Sequence, residues 1–157
     1  MKRAVALMVA LAASVLVSVV PSSAQEPPIT ATPLTPRSTF PDNVELTVSV
    51  NGESVTVEPS LTAVVKFVLQ PGAQFPWHTH AGPVVANVKR GTLVFVNDEC
   101  EETTYPAGTA FIDRGPDVHS ALNPSTTKET VVVGTFFNAP PAPDPLLIPA
   151  TTPGCAA

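Results

Sequence analysis

The sequence is short of charge, and of positive charge most of all. Only 13% of its 157 residues are charged, with 8 Lys and Arg against 13 Asp and Glu, a net charge of −5 and an isoelectric point near 5.0. Without a basic stripe to neutralise phosphates, nucleic acid is a poor candidate partner, and an anionic membrane surface is no better matched. Helical periodicity is missing as well: after Ala24 no window combines 3.6-residue apolar spacing with caps. There is no internal repeat. The one long apolar run, Ala4 to Val20, falls short of the roughly 20 residues that span a bilayer. Cysteine is reduced to Cys100 and Cys155, neither with the close Cys or His neighbour of a thiolate metal site.

What is present at the start is the layout of an export signal. Lys2 and Arg3 precede the apolar run, and Pro21-Ser22-Ser23-Ala24 places small side chains where a signal peptidase reads them. Cleavage is expected after Ala24, giving a secreted protein, extracellular or periplasmic, with no membrane association afterwards. No cysteine lies near that site, which speaks against a lipid anchor. In an oxidising compartment an even cysteine count favours a disulfide. A Cys100–Cys155 bond would fasten the C-terminal tail back across the folded body.

Residues 25–41 are rich in Pro, Thr and Ser and read as an extended tail, and residues 139–157 mirror them with six prolines. The folded body is expected over 42–138. Within it Val44 to Val50 alternates, Asn51-Gly52 signals a hairpin, and Glu53 to Val57 alternates again. Thr62–Leu69, Val84–Val88, Thr92–Val96, Ala110–Ile112 and Thr130–Phe137 follow as β-branched, apolar runs. Short strands at close spacing imply an all-β sandwich or barrel. Asp98, Glu99, Glu101 and Glu102 form an acidic cluster that reads as a solvated turn.

The chain holds three histidines, His78, His80 and His119. His78 and His80 are two apart on an expected strand, so they share one face. Pointed into a barrel, that face brings two imidazoles to one place. The spacing from Gly72 through His78-Thr79-His80 and Val84 to Gly91 resembles the first motif of the cupin superfamily. Gly108, Arg114, Pro116, His119 and Asn123 follow the spacing of its second motif. The phrase PWHTHAGPVVANVKRG resembles a group of small secreted bacterial cupins. The resemblance covers roughly Thr62 to Phe137 and implies a single cupin-type double-stranded β-helix barrel, a jelly roll. It implies that His78, His80 and His119 bind one divalent transition metal. Likeness to quercetin-dioxygenase-like cupins makes iron the first expectation; imidazole equally suits zinc, copper and nickel, and manganese stays open. A homodimer through sheet edges is common in such proteins.

Two departures stand out. The family's carboxylate ligand, a Glu after the histidine pair, is matched by Val84 with Val85 beside it, and neither binds metal. Arg114 and Pro116 replace the second motif's usual Pro and Gly. Three neutral imidazoles leave a divalent ion its full charge, so the site should prefer anionic or chelating oxygen ligands. No residue is assignable as catalytic from sequence. Trp77, Phe75, Phe95 and Phe111 read as core or rim, Tyr105 as a turn residue before Pro106, Asn123 as a turn pin and Arg114 as solvent-facing. Two functions fit: an oxygenase-like metal enzyme acting on a small molecule, or a non-catalytic extracellular binder of metal or small ligand. A polar group within reach of the metal would separate them.

Overall fold

In the computed structural model, residues 28–155 are described. The export signal expected over 1–24 lies outside them. Among the described residues there are thirteen strands and no helix: β1 (Ile29–Pro33), β2 (Ser38–Thr39), β3 (Leu46–Val50), β4 (Glu53–Val57), β5 (Leu61–Leu69), β6 (His78–Thr79), β7 (Val84–Arg90), β8 (Thr92–Val96), β9 (Glu102–Pro106), β10 (Ala110–Asp113), β11 (Ser120–Leu122), β12 (Thr130–Phe137) and β13 (Ile148–Pro149). The larger sheet runs β1-β5-β12-β7-β10, with β2 also on β5; β11-β8-β9 forms a second sheet, and β13-β6 and β3-β4 are two-stranded. These pairings are all antiparallel, consistent with an all-β jelly-roll barrel.

Alternation decides which side chains enter the barrel. On β5, Ala63, Val65, Phe67 and Leu69 are buried while their neighbours are only half-covered. On β12, Val132, Gly134 and Phe136 turn inward, and Phe67 meets Phe75 and Phe136 edge-on at centroid separations of 5.3 and 6.2 Å. Such aromatic pairs add about 1 kcal/mol beyond the area they bury. The Asn51-Gly52 hairpin joins β3 and β4 with both residues at positive φ, 52° and 88°. That backbone twist matches the flanking strands.

Both proline-rich ends pair with strands of the body, and the C-terminal one is fastened back as expected. Ile29–Pro33 pairs along the outer edge of β5, from Ile29 opposite Leu69 to Pro33 opposite Val65. Pro33 is tolerable there because it closes an edge strand, where no ladder donor is needed on its outer side. At the other end Ile148 and Pro149 pair with Thr79 and His78, and Leu146 and Leu147 pack against the core. Cys100 and Cys155 are joined, with Cα atoms 5.5 Å apart. Folded structure thus reaches well beyond residues 42–138 on both sides. In the acidic cluster, Glu102 opens β9 and only the residues before it form the turn.

Candidate metal centre

Two backbone hydrogen bonds bring the histidines together. His78 N–H donates to the His119 carbonyl at 2.9 Å and His119 N–H returns one to His78 at 3.0 Å, so residues 41 positions apart in sequence sit as a direct antiparallel pair. His80 is tied in by its N–H to the Gly115 carbonyl at 2.7 Å. All three side chains are buried, and their ring centroids lie 4.3 to 5.1 Å apart. One nitrogen from each falls within 4.8 Å of the others.

Each imidazole has its Nδ1 against a backbone carbonyl: His78 on Pro76 at 2.7 Å, His80 on Leu146 at 2.8 Å, His119 on Asp117 at 2.8 Å. A carbonyl oxygen only accepts, so Nδ1 carries the proton and Nε2 is left as a lone pair. Burial favours the neutral ring: it lowers the pKa of His78 from 6.5 to about 4, helped by His119, lowers that of His80 to about 3, and lowers that of His119 as well. The tautomer that metal ligation through Nε2 would need is therefore already fixed in each ring.

Asp113 is the residue that sequence reasoning missed. It ends β10, is 6% exposed, and its Oδ2 lies 3.0 Å from His119 Nε2 and 3.3 Å from His80 Nε2. Its Oδ1 accepts the Gly115 N–H at 2.8 Å, an Asx-type turn. Gly115 has φ +106°, and a Cβ there would stand 2.4 Å from the Gly82 carbonyl oxygen, so the turn demands glycine. The second motif's replaced residues thus leave a glycine in the turn, one place earlier than Pro116. Burial raises the Asp113 pKa from 3.8 to about 7. No spacing rule marked this aspartate, since it belongs to neither motif's ligand positions. The register does: Asp113 is the strand partner of Val84.

The rings open onto a cavity of about 60 Å³. Phe75, Phe95, Phe111, Val84, Phe136 and Leu147 are among its apolar walls, and Phe95 stacks on the His119 ring at 5.1 Å. Phe75, Phe95 and Phe111 therefore wall the cavity itself, while Trp77 is half-buried and its carbonyl receives the Ala150 N–H from the tail. Tyr105 stacks on Phe111, centroids 4.2 Å apart, in the packing of β9. Arg114 points away, paired with Glu53 and, at 2.6 Å, with Asp117. Asn123, wholly buried, pins its turn by donating to the carbonyls of Leu69, Gln70 and Lys128.

The donor set fits a metal. Nε2 lone pairs on three neutral imidazoles face one another with the Asp113 carboxyl against two of them and at most one proton in the set, an arrangement that a divalent transition ion would satisfy.

No family model and no curated protein matches this sequence. Solved structures do. KdgF from Halomonas sp. superposes with a TM-score of 0.51 at 17% identity, covering 73% of this chain and 83% of that one. The Cupin_2 domain of an XRE-family transcriptional regulator from Enterobacter cloacae gives 0.50 at 16% identity, over 73% of this chain and all of the domain. A cupin-like protein from Thermotoga maritima gives 0.46 at 25% identity over 49% of this chain, which spans only 57% of that protein.

Proposed function

We propose, from the cupin fold of this chain, that His78, His80 and His119 hold one divalent transition metal and present it to a small ligand, with oxygenase-type chemistry as the activity. The observation that carries this reading is the shared tautomer: three Nδ1 protons held by the carbonyls of Pro76, Leu146 and Asp117 leave three Nε2 lone pairs aimed at one place. When bound, the metal supplies Lewis acidity and open coordination positions.

The protein's own residues define what reaches those positions. A cavity of about 60 Å³ is far below the ~300 Å³ of an ordinary ligand pocket, so the ligand is a group of a few heavy atoms. Its apolar walls exclude water and strengthen every polar contact at the floor. Arg114, engaged with Glu53 and Asp117, does not greet an anion. Asp113 is a polar group within reach of the histidines, which favours an enzyme over a passive binder, because a buried carboxyl can take up or return a proton. The Cys100–Cys155 bond supports export, since disulfides persist in oxidising compartments.

Metal analysis of protein exported by its own signal tests the reading. One metal per chain is expected, lost in His80→Ala. Full occupancy in a variant with all three histidines changed to alanine would end it.

A further inference from the structure

We propose that Asp113 is a fourth ligand of the metal, a carboxylate delivered from β10 to the point that its strand partner Val84 faces on β7. This inference rests on the three-histidine reading and adds a residue to it. Four observations carry it.

The first is distance. Donors each about 2.1 Å from one ion lie roughly 3.0 to 3.4 Å from one another. Asp113 Oδ2 is 3.0 Å from His119 Nε2 and 3.3 Å from His80 Nε2, both within that range, so the carboxylate sits on the His80 and His119 side of the site, farther from His78. The second is the character of the facing atoms. Both Nε2 atoms are lone pairs because both Nδ1 protons are spent on carbonyls. A carboxylate oxygen set against two lone pairs is repelled by both. One proton on that oxygen could relieve only one of the two contacts, whereas a cation between the atoms relieves all of them at once.

The third is the hold on the carboxylate. Oδ1 is fixed by the Gly115 N–H, and the carbonyl of the same Gly115 receives the His80 N–H. One peptide segment therefore sets Asp113 and His80 relative to each other, and the contact is built into the turn rather than left to a free rotamer. The fourth is register. Asp113 opposes Val84 across the β7–β10 ladder, and both line the same cavity. A carboxylate grown from either position enters one space. The bound ion then carries a net charge of +1 rather than +2, which removes the preference for anionic ligands that three neutral imidazoles alone would give.

The test is a titration of the chelator-stripped protein with Zn²⁺ alone by calorimetry, together with the visible spectrum of the Co²⁺ form. Wild type is expected to bind one Zn²⁺ per chain. Asp113→Asn keeps size and the Gly115 contact but is a poor ligand, and should weaken Zn²⁺ at least tenfold and alter the Co²⁺ ligand-field bands. Asp113→Asn with Val84→Glu should regain most of the affinity, because the carboxylate returns from the neighbouring strand. A residue that merely positioned His80 would leave the Co²⁺ bands unmoved in Asp113→Asn, and that result overturns the proposal. So does Zn²⁺ binding equal to wild type in Asp113→Asn while His80→Ala has lost it; the three-histidine reading then survives alone. Wild type that binds no Zn²⁺ or Co²⁺ overturns both. Urea denaturation of each metal-free variant confirms that it folds before binding is read.

Discussion

Two buried polar clusters lie in this barrel, and they are built on opposite principles. Around Asn123, which has no exposed surface, donors and acceptors balance: its amide nitrogen serves the carbonyls of Leu69, Gln70 and Lys128, and its oxygen receives the Ser125 N–H. Around His78, His80 and His119 the outward nitrogens are satisfied, while inward three Nε2 lone pairs and the Asp113 carboxyl share at most one proton among them. A closed cluster stabilises the fold by itself. A cluster with acceptors in excess of donors costs stability that a cation would restore. The first is a structural pin, and the second has the make-up of a cation receptor.

The clusters differ too in where their partners come from. Asn123 draws all of its bonds from two neighbouring turns, whereas His80 depends on the Leu146 carbonyl, 66 residues away on the tail. Breaking the tail's anchor should separate them, and this is the largest effect expected. Changing Cys100 and Cys155 together to serine opens a 55-residue loop, and the chain-entropy value of such a loop is about 4 kcal/mol. The variant should unfold at markedly lower urea and bind Zn²⁺ roughly tenfold more weakly, the usual cost of losing a partner that orients a ligand imidazole. Hydrogen exchange should show the turn around Asn123 protected as before up to the unfolding transition. Zn²⁺ affinity equal to wild type would mean that β13 holds to β6 without the disulfide.

The second effect turns one cluster into the other. Asn123→Asp keeps the shape but replaces the amide nitrogen with an acceptor facing three carbonyls. Two N–H donors shared among three carbonyls are lost, a cost of about 2 kcal/mol before repulsion is counted. Chemical denaturation measures it. Metal affinity of the folded variant should stay at the wild-type value, because no atom of this cluster touches the histidines.

The barrel was readable wherever burial imposed alternation. The strands from Leu61 to Leu69 and from Thr130 to Phe137, and the hairpin at Asn51-Gly52, all carry their signal in local sequence. Strand β1, Ile-Thr-Ala-Thr-Pro, leaves four of its five residues exposed and has no apolar face to announce it. Strands β6 and β13, two residues each, exist because the tail returns to pair with the histidine segment, which no local pattern encodes. The histidines were legible because their spacing matches the cupin motifs that the sequence resembles. Asp113 was not, because its role comes from register: only when β10 is laid against β7 does it stand opposite Val84, the position where sequence comparison finds a carboxylate missing. A ligand displaced to the neighbouring strand is invisible to any motif written along one strand.

The smallest effect concerns that aspartate in the metal-free protein. His78 and His80 titrate near 4 and 3 in the fold against 6.5 when unfolded, with His119 shifted the same way, all through burial. Groups with depressed folded pKa values contribute stability that is present above about pH 6.5 and lost as pH falls through the folded values. Asp113 runs the other way. Its pKa is raised by burial from 3.8 to about 7, so its contribution is complete below 3.8 and lost as pH rises toward 7. Between about pH 5 and 6.5 the unfolded chain binds protons on His78 and His80 that the fold keeps off, with His119 shifted in the same direction, while the fold retains one on Asp113 that the unfolded chain has released. Stability should therefore rise with pH, with the aspartate holding the slope down. Asp113→Asn removes that opposing proton, and its slope should exceed the wild-type slope by one proton, about 1.4 kcal/mol per pH unit. Urea midpoints measured in chelator across this range provide the comparison. Parallel slopes would mean that the carboxylate stays ionised among the three imidazoles without metal, which requires a donor at the floor of the cavity and would make the cluster as self-sufficient as the one around Asn123.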